Sequence, residues 1–158
     1  MKVKVKKLHE NAVLPSKVYD SDFCYDVVAT TREEIGPNVW KYGLGLAFQI
    51  DRQYNRDNDR HINSFLRYYN LRMSIDFRPR SSVWKTGLVL SNCTGTIDEN
   101  FTGEVSAIFY KVAEGEIYNV GDRIGQIKLN FTPELKFVEV DILDSTDRGS
   151  GGYGSTGR

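Results

Sequence analysis

Arg78-Pro-Arg-Ser-Ser82 sets two cations and two hydroxyls together, directly after an alternating apolar run. An arginine fork beside hydroxyls and backbone N–H groups suits phosphate oxygens; the same residues also read as an ordinary basic turn. Asn92–Glu104 (NCTGTIDENFTGE) reads as a hairpin turning near Asp98, Glu99 and Asn100, with Gly95 and Gly103 allowing close backbone approach. Asp98 can cap that turn or act as a base towards a water. Gly121–Gln126 (GDRIGQ) is a turn feeding a strand, and its glutamine can meet a ligand oxygen. In Arg148–Gly157 (RGSGGYGSTG), glycines separate Arg148, Tyr153, Ser155 and Thr156: a cation, a ring and two hydroxyls. The stretch reads as a linker or as an anion nest.

Period-two alternation supplies the frame that must position these groups. Lys2–Leu8 alternates; Leu71, Met73, Ile75 and Phe77 alternate with Arg72, Ser74 and Asp76; Phe137, Val138, Val140 and Ile142 sit among Lys136, Glu139 and Asp141. Further β-type runs are Tyr25–Ala29, Val39–Ile50, Leu88–Leu90, Val105–Tyr110 and Ile124–Leu129, with turns at 35–38, 98–100 and 120–122. Many short strands with regular turns predict an all-β sandwich, jelly roll or barrel. Residues 51–61 (DRQYNRDNDRH) break the pattern with three Asp and three Arg, and read as a solvated loop or hairpin tip. Asp57-Asn-Asp59 lacks the following glycine and distant glutamate of a calcium loop. Ile62, Phe65, Leu66 and Tyr69 then have helical spacing, enough for one or two turns.

The chain has 158 residues, the length of one domain with a real core. Lys plus Arg and Asp plus Glu both number 21, a balance that argues against a duplex nucleic-acid binder and leaves room for a compact anion site. Two cysteines, Cys24 and Cys93, make no disulfide framework and are expected as reduced thiols. MKVKVKKL reads as a strand instead of a secretion signal, and no apolar run approaches the ~20 residues of a membrane helix. The expected location is the cytoplasm.

Taken together and in this order, the patches resemble the homotrimeric dUTPase family (dUTP pyrophosphatases). The counterparts of its five motifs are Asp22–Ala29 (DFCYDVVA), Arg78–Ser82, Gly95–Glu104, Gly121–Gln126 and Arg148–Gly157. The resemblance implies a distorted jelly roll of the β-clip type over 1–143 and a glycine-rich C-terminal arm over 144–158. It also implies a homotrimer with shared active sites, each arm exchanged onto a neighbouring subunit. The implied reaction is dUTP plus water giving dUMP and pyrophosphate, with Mg²⁺ on the triphosphate. By position, Asp98 matches the carboxylate that activates water towards the α-phosphorus. Asn92 and the adjacent hairpin at Thr96 and Ile97 match the uracil-reading segment, and Phe101 matches the ring under the deoxyribose. Arg80, Ser81, Ser82 and Gln126 match the phosphate binders, and Asp26 the carboxylate near the metal-bound waters. Arg148, Tyr153, Ser155 and Thr156 match the closing arm.

Several positions depart from the family pattern. Phe101 stands where tyrosine is usual, Tyr153 where phenylalanine is, and Cys24 and Ser82 where glycine is favoured. About 51–70 the chain carries a polar insertion, expected to be inert. Two other readings share the scaffold: a dCTP deaminase, which would want a central catalytic glutamate, and a regulatory protein docking through the insertion. The intact Gly95–Asp98 stretch and the full arm favour the dUTPase reading.

Overall fold

Alternation places Met73, Ile75 and Phe77 on one side of their strand and Ser74, Asp76 and Arg78 on the other, so this strand must lie between a core and a polar face. The computed structural model describes residues 1–51 and 71–152. Tyr153, Ser155 and Thr156, the insertion beyond Asp51, and the helical spacing of Ile62, Phe65, Leu66 and Tyr69 lie outside the described residues.

Ten strands run through the described residues: β1 Val3–Lys7, β2 Tyr25–Val28, β3 Thr31–Gly36, β4 Val39–Gly43, β5 Leu46–Ile50, β6 Leu71–Pro79, β7 Leu88–Leu90, β8 Gly95–Asp98, β9 Ser106–Lys111 and β10 Arg123–Pro133. They form three open sheets, ordered β1-β5, β2-β10-β6-β8 and β3-β4-β9-β7, with every pairing antiparallel. Non-sequential neighbours such as β10 and β6 are the crossovers of a jelly roll, not of a meander. The core lies between the two larger sheets. Phe77 and Ile124 come from one, Tyr42, Leu44 and Phe109 from the other or its margin. Phe109 holds the aromatic centre, meeting Tyr42 edge-on at 5.7 Å, Tyr118 at 6.0 Å and Phe77 at 6.4 Å between ring centres. Among the described residues no helix is long and apolar enough to cross a membrane.

The structure departs from the periodicity in four places. The Val39–Ile50 run splits into β4 and β5 around Gly45, whose φ is +63°. Thr31–Gly36 forms an edge strand although its Arg and Glu side chains mask any alternation. The expected hairpin turns where anticipated, Phe101 N–H donating to the Asp98 carbonyl at 3.0 Å, but its two arms do not pair. Instead β8 pairs with β6, and the return reaches Leu46 through the Val105 N–H at 2.9 Å. Lastly, Phe137–Ile142 alternates like a strand but pairs with nothing among the described residues, and Phe137 is 91% exposed. Alternation predicts which residues can share a face; it cannot supply the neighbouring edge that a strand needs.

Phe109→Ala should cost about 3–5 kcal/mol of unfolding free energy, measured by urea denaturation, because it empties the aromatic centre. Burial pushes the Tyr42 phenol from 10.0 up to about 12 and raises that of Tyr118 as well. The folded state thus favours the neutral phenols, and their contribution to stability is complete below pH 10 and lost as pH climbs towards 12. A tyrosinate absorbance titration should show these two rings ionising later than the exposed tyrosines, together with unfolding; Tyr42→Phe should make the alkaline loss smaller.

Candidate active site

The site begins with a carboxylate that has little access to water. Asp26 lies on β2 with 6% of its surface exposed. Its backbone is pinned on both sides, to Gln126 of β10 and by a bridge to Ser16, whose carbonyl accepts the Asp26 N–H at 2.7 Å. Burying a charge is costly unless donors surround it. Here Arg123 Nη1 donates to Oδ2 at 2.8 Å, and Gln126 Nε2 donates to Oδ1 at 3.0 Å. Arg80 Nε stands 3.3 Å from Oδ1. It is within ion-pair reach but off the axis of a hydrogen bond, so that buried N–H makes none among the described residues.

Arg123 and Gln126 are three residues apart, so in a regular strand they would point to opposite faces. A β-bulge resolves this. Arg123 pairs with Val28 and Gly125 with Val27, so the register shifts between them and both side chains reach Asp26. The bulge needs Gly125, since an added Cβ there would collide with Phe77 Cζ. Arg80 arrives from the other direction, where β6 ends at Pro79 and the chain enters a short 3₁₀ helix, Ser81–Thr86. Ser81 is exposed and Ser82 partly so at the start of that helix, beside Arg80. Asp26, Arg80 and Gln126, from three of the sequence motifs, thus meet in one place, and Ser81 and Ser82 follow Arg80 in the chain. Arg123 was quoted within its motif but not singled out there; only the bulge reveals that it belongs.

The other half of the candidate set lies elsewhere. Asp98 ends β8, exposed, opposite Ser74 on β6. It lines a hollow of about 220 Å³ together with Thr96, Ile97 and Phe101. A neighbouring hollow of about 170 Å³ holds Asn92 and Gly95 and shares Thr96 and Ile97. Both are smaller than the ~300 Å³ at which small-molecule sites begin. Asp26 and Asp98 occupy opposite edges of the β2-β10-β6-β8 sheet. Three strand spacings across and four residues along separate them by roughly 20 Å. Arg148 joins neither group: its Nε donates to the Gly151 carbonyl at 2.9 Å, within its own turn.

The family model described as dUTPase matches residues 65–157, more than half of the chain. The deoxyuridine 5'-triphosphate nucleotidohydrolase of Helicobacter pylori (strain ATCC 700392 / 26695) is 31% identical over 99% of this chain and 97% of its own. That of Wolinella succinogenes is 31% identical over 100% of this chain and 95% of its own. Among solved structures, Staphylococcus bacteriophage 80alpha dUTPase with dUpNHpp aligns over 99% of both chains with a TM-score of 0.75 at 20% identity. A point mutant of the dUTPase from phage phi11 of S. aureus, described as coordinating a structural Mg(II) ion, covers 92% of this chain and 100% of its own, with a TM-score of 0.68 at 18% identity. The structural likeness carries the jelly-roll fold, and the sequence kinship carries more: the chain belongs to the dUTPase family.

Proposed function

We propose that this chain hydrolyses dUTP to dUMP and pyrophosphate, at sites that each draw on more than one copy of it. The observation that carries the reading is the convergence of Arg80, Arg123 and Gln126 on one buried carboxylate, an array of donors suited to a triphosphate. Asp26 holds the two arginine forks in place before substrate arrives, so little reorganisation remains when the phosphates bind. Ser81 and Ser82 add hydroxyls beside Arg80.

The donor set fits a metal ion that arrives with the triphosphate and is not caged by protein. Among the described residues no three His, Cys, Asp or Glu side chains converge as ligands. Both Asp26 oxygens are occupied by side-chain donors, so Asp26 would meet Mg²⁺ through water. Bound there, Mg²⁺ would neutralise phosphate charge. Asp98 takes a proton from the water that attacks the α-phosphorus; the new P–O bond forms as the bond to the bridging oxygen breaks and pyrophosphate leaves. Asn92 and the backbone at Thr96 and Ile97 read the uracil edge, where a mismatched base would leave a buried group unpaired. Phe101 packs on the deoxyribose and leaves little room for a 2′-hydroxyl. Arg148, Tyr153, Ser155 and Thr156 close over the bound nucleotide.

The same geometry supports an assembly of several copies. The Asp98 backbone stands roughly 20 Å away from that of Asp26 within one chain, and a second copy can bring its β8 turn to the first copy's Asp26 group. The unpaired stretch from Leu135 to Leu143 points the same way. Its apolar side chains are exposed, and a groove of about 790 Å³, lined by Val3, Val5, Leu14, Phe23, Ile127 and Leu129 among others, runs beside β1. A neighbouring copy's stretch filling that groove supports the reading of a homotrimer whose 144–158 arms are exchanged.

Pyrophosphate release should be fast with dUTP and Mg²⁺ and slow with dCTP, dTTP and UTP, without ammonia release from dCTP; equal or absent turnover across the four nucleotides would sink the reading. Asp98→Asn should lower kcat by about 10²–10⁴-fold with nucleotide binding retained. Neither Asp98→Asn nor Arg80→Ala chains should be active alone. Co-refolded in equal amounts they should recover about one quarter of wild-type activity if each site takes these residues from different copies, and none if it does not.

A further inference from the structure

The return from the Asp98 turn is anchored at both ends. At its start the Phe101 N–H closes the turn on the Asp98 carbonyl at 3.0 Å. At its end Glu104 Oε1 accepts the Gly45 N–H at 2.9 Å and packs on Gly43, where an added Cβ would stand 2.5 Å from the same oxygen. Val105 extends the anchorage, its N–H donating to Leu46 and its carbonyl accepting from Leu44 at 3.0 Å. Between these anchors the Phe101 ring folds back over Gly103. An added Cβ at Gly103 would meet ring atom Cζ at 2.8 Å and Cε2 at 3.1 Å. Gly103 has no positive φ, so the site requires glycine for space, not for backbone conformation.

We propose that Gly103 and Glu104 are positioning residues for Phe101, and that together they set the discrimination between deoxyribose and ribose. The proposal rests on Phe101 being the wall of the sugar site. A phenylalanine has no hydroxyl with which to anchor its own tip, so the ring's place is decided by the surface beneath it. Glu104 holds that surface against the β4–β5 turn, and Gly103 leaves room on it for the tip of the ring. Exclusion of a 2′-hydroxyl is a matter of contact, and contact is lost when the ring shifts by a fraction of an atom's width. A methyl at 103 would move the end of a rotatable side chain without straining the backbone, so it should alter selectivity and leave folding intact.

The test is kcat/KM for dUTP and for UTP with the full-length chain, in Gly103→Ala, Glu104→Ala, Glu104→Gln, Phe101→Ala and the double variant Phe101→Ala/Gly103→Ala. Gly103→Ala should raise the UTP-to-dUTP ratio by about tenfold or more, the range a single methylene-sized change commands in a packed pocket. Glu104→Ala should raise it too, while Glu104→Gln, which keeps an oxygen for the Gly45 N–H, should hold it near wild type. With Phe101 already removed, Gly103→Ala should add nothing. An unmoved ratio in Gly103→Ala, or the same change persisting without the Phe101 ring, would overturn the proposal; so would Glu104→Gln behaving as Glu104→Ala. The Glu104 pair alone decides if the alanine at 103 fails to fold. Wild type without dUTP turnover would count against the catalytic reading itself, whereas normal dUTP turnover with unmoved ratios counts only against Gly103 and Glu104.

Discussion

The Asp26 carboxylate is the constraint on which the rest of the structure depends. A buried anion needs donors on every side, and removing one partner of such a group typically costs about 3–5 kcal/mol. Satisfying it ties together stretches far apart in sequence: Arg80 from the end of β6, and Arg123 and Gln126 from β10. The bulge in β10, the glycine at 125 beneath the Phe77 ring and the Ser16 bridge on the open edge of β2 all serve that one meeting. The charges that stabilise this corner of the fold are also those that a triphosphate would need.

The same sheet that gathers the donors keeps Asp98 away. β8 lies at the opposite edge from β2, and antiparallel pairing fixes both the number of strands between them and the register. No side-chain movement closes a gap of roughly 20 Å. Within one chain the Asp26 group and the Asp98 turn therefore stay apart. Among the described residues the chain also exposes apolar surface, at Phe137 and Ile142 and along the groove beside β1. In the proposed assembly further copies would answer both, the first for chemistry and the second for burial of apolar area.

Much of this was legible in the residues. The alternation in Leu71–Phe77 and in Lys2–Leu8 gave real strands, because side chains of period two need only a pleat and an apolar neighbour. That Asp26, Arg80 and Gln126 belong to one site was legible only through the family resemblance of the ordered motifs, since each patch alone reads equally as an ordinary turn or strand. Thr31–Gly36 was not legible, as an exposed edge strand places no demand on either face. Nor was Arg123, whose aim depends on a register shift that alternation alone predicts the wrong way. The unpaired Phe137–Ile142 shows the same limit from the other side: its pattern is that of a strand, and its partner is absent among the described residues.

The sequence by itself determined the residue types, their order and the period of their apolar positions, and with them the all-β class and the five ordered motifs that carry the family resemblance. These are local properties, set by covalent spacing and by what each side chain can donate, accept or bury. Only the tertiary structure decided which candidates stand together. It joined Arg123 to Asp26, set the Asp98 turn at the far edge of the sheet, and laid the Phe101 ring over Gly103. The physical reason is that distance across a sheet depends on strand order and register, and those emerge from the packing of the whole chain.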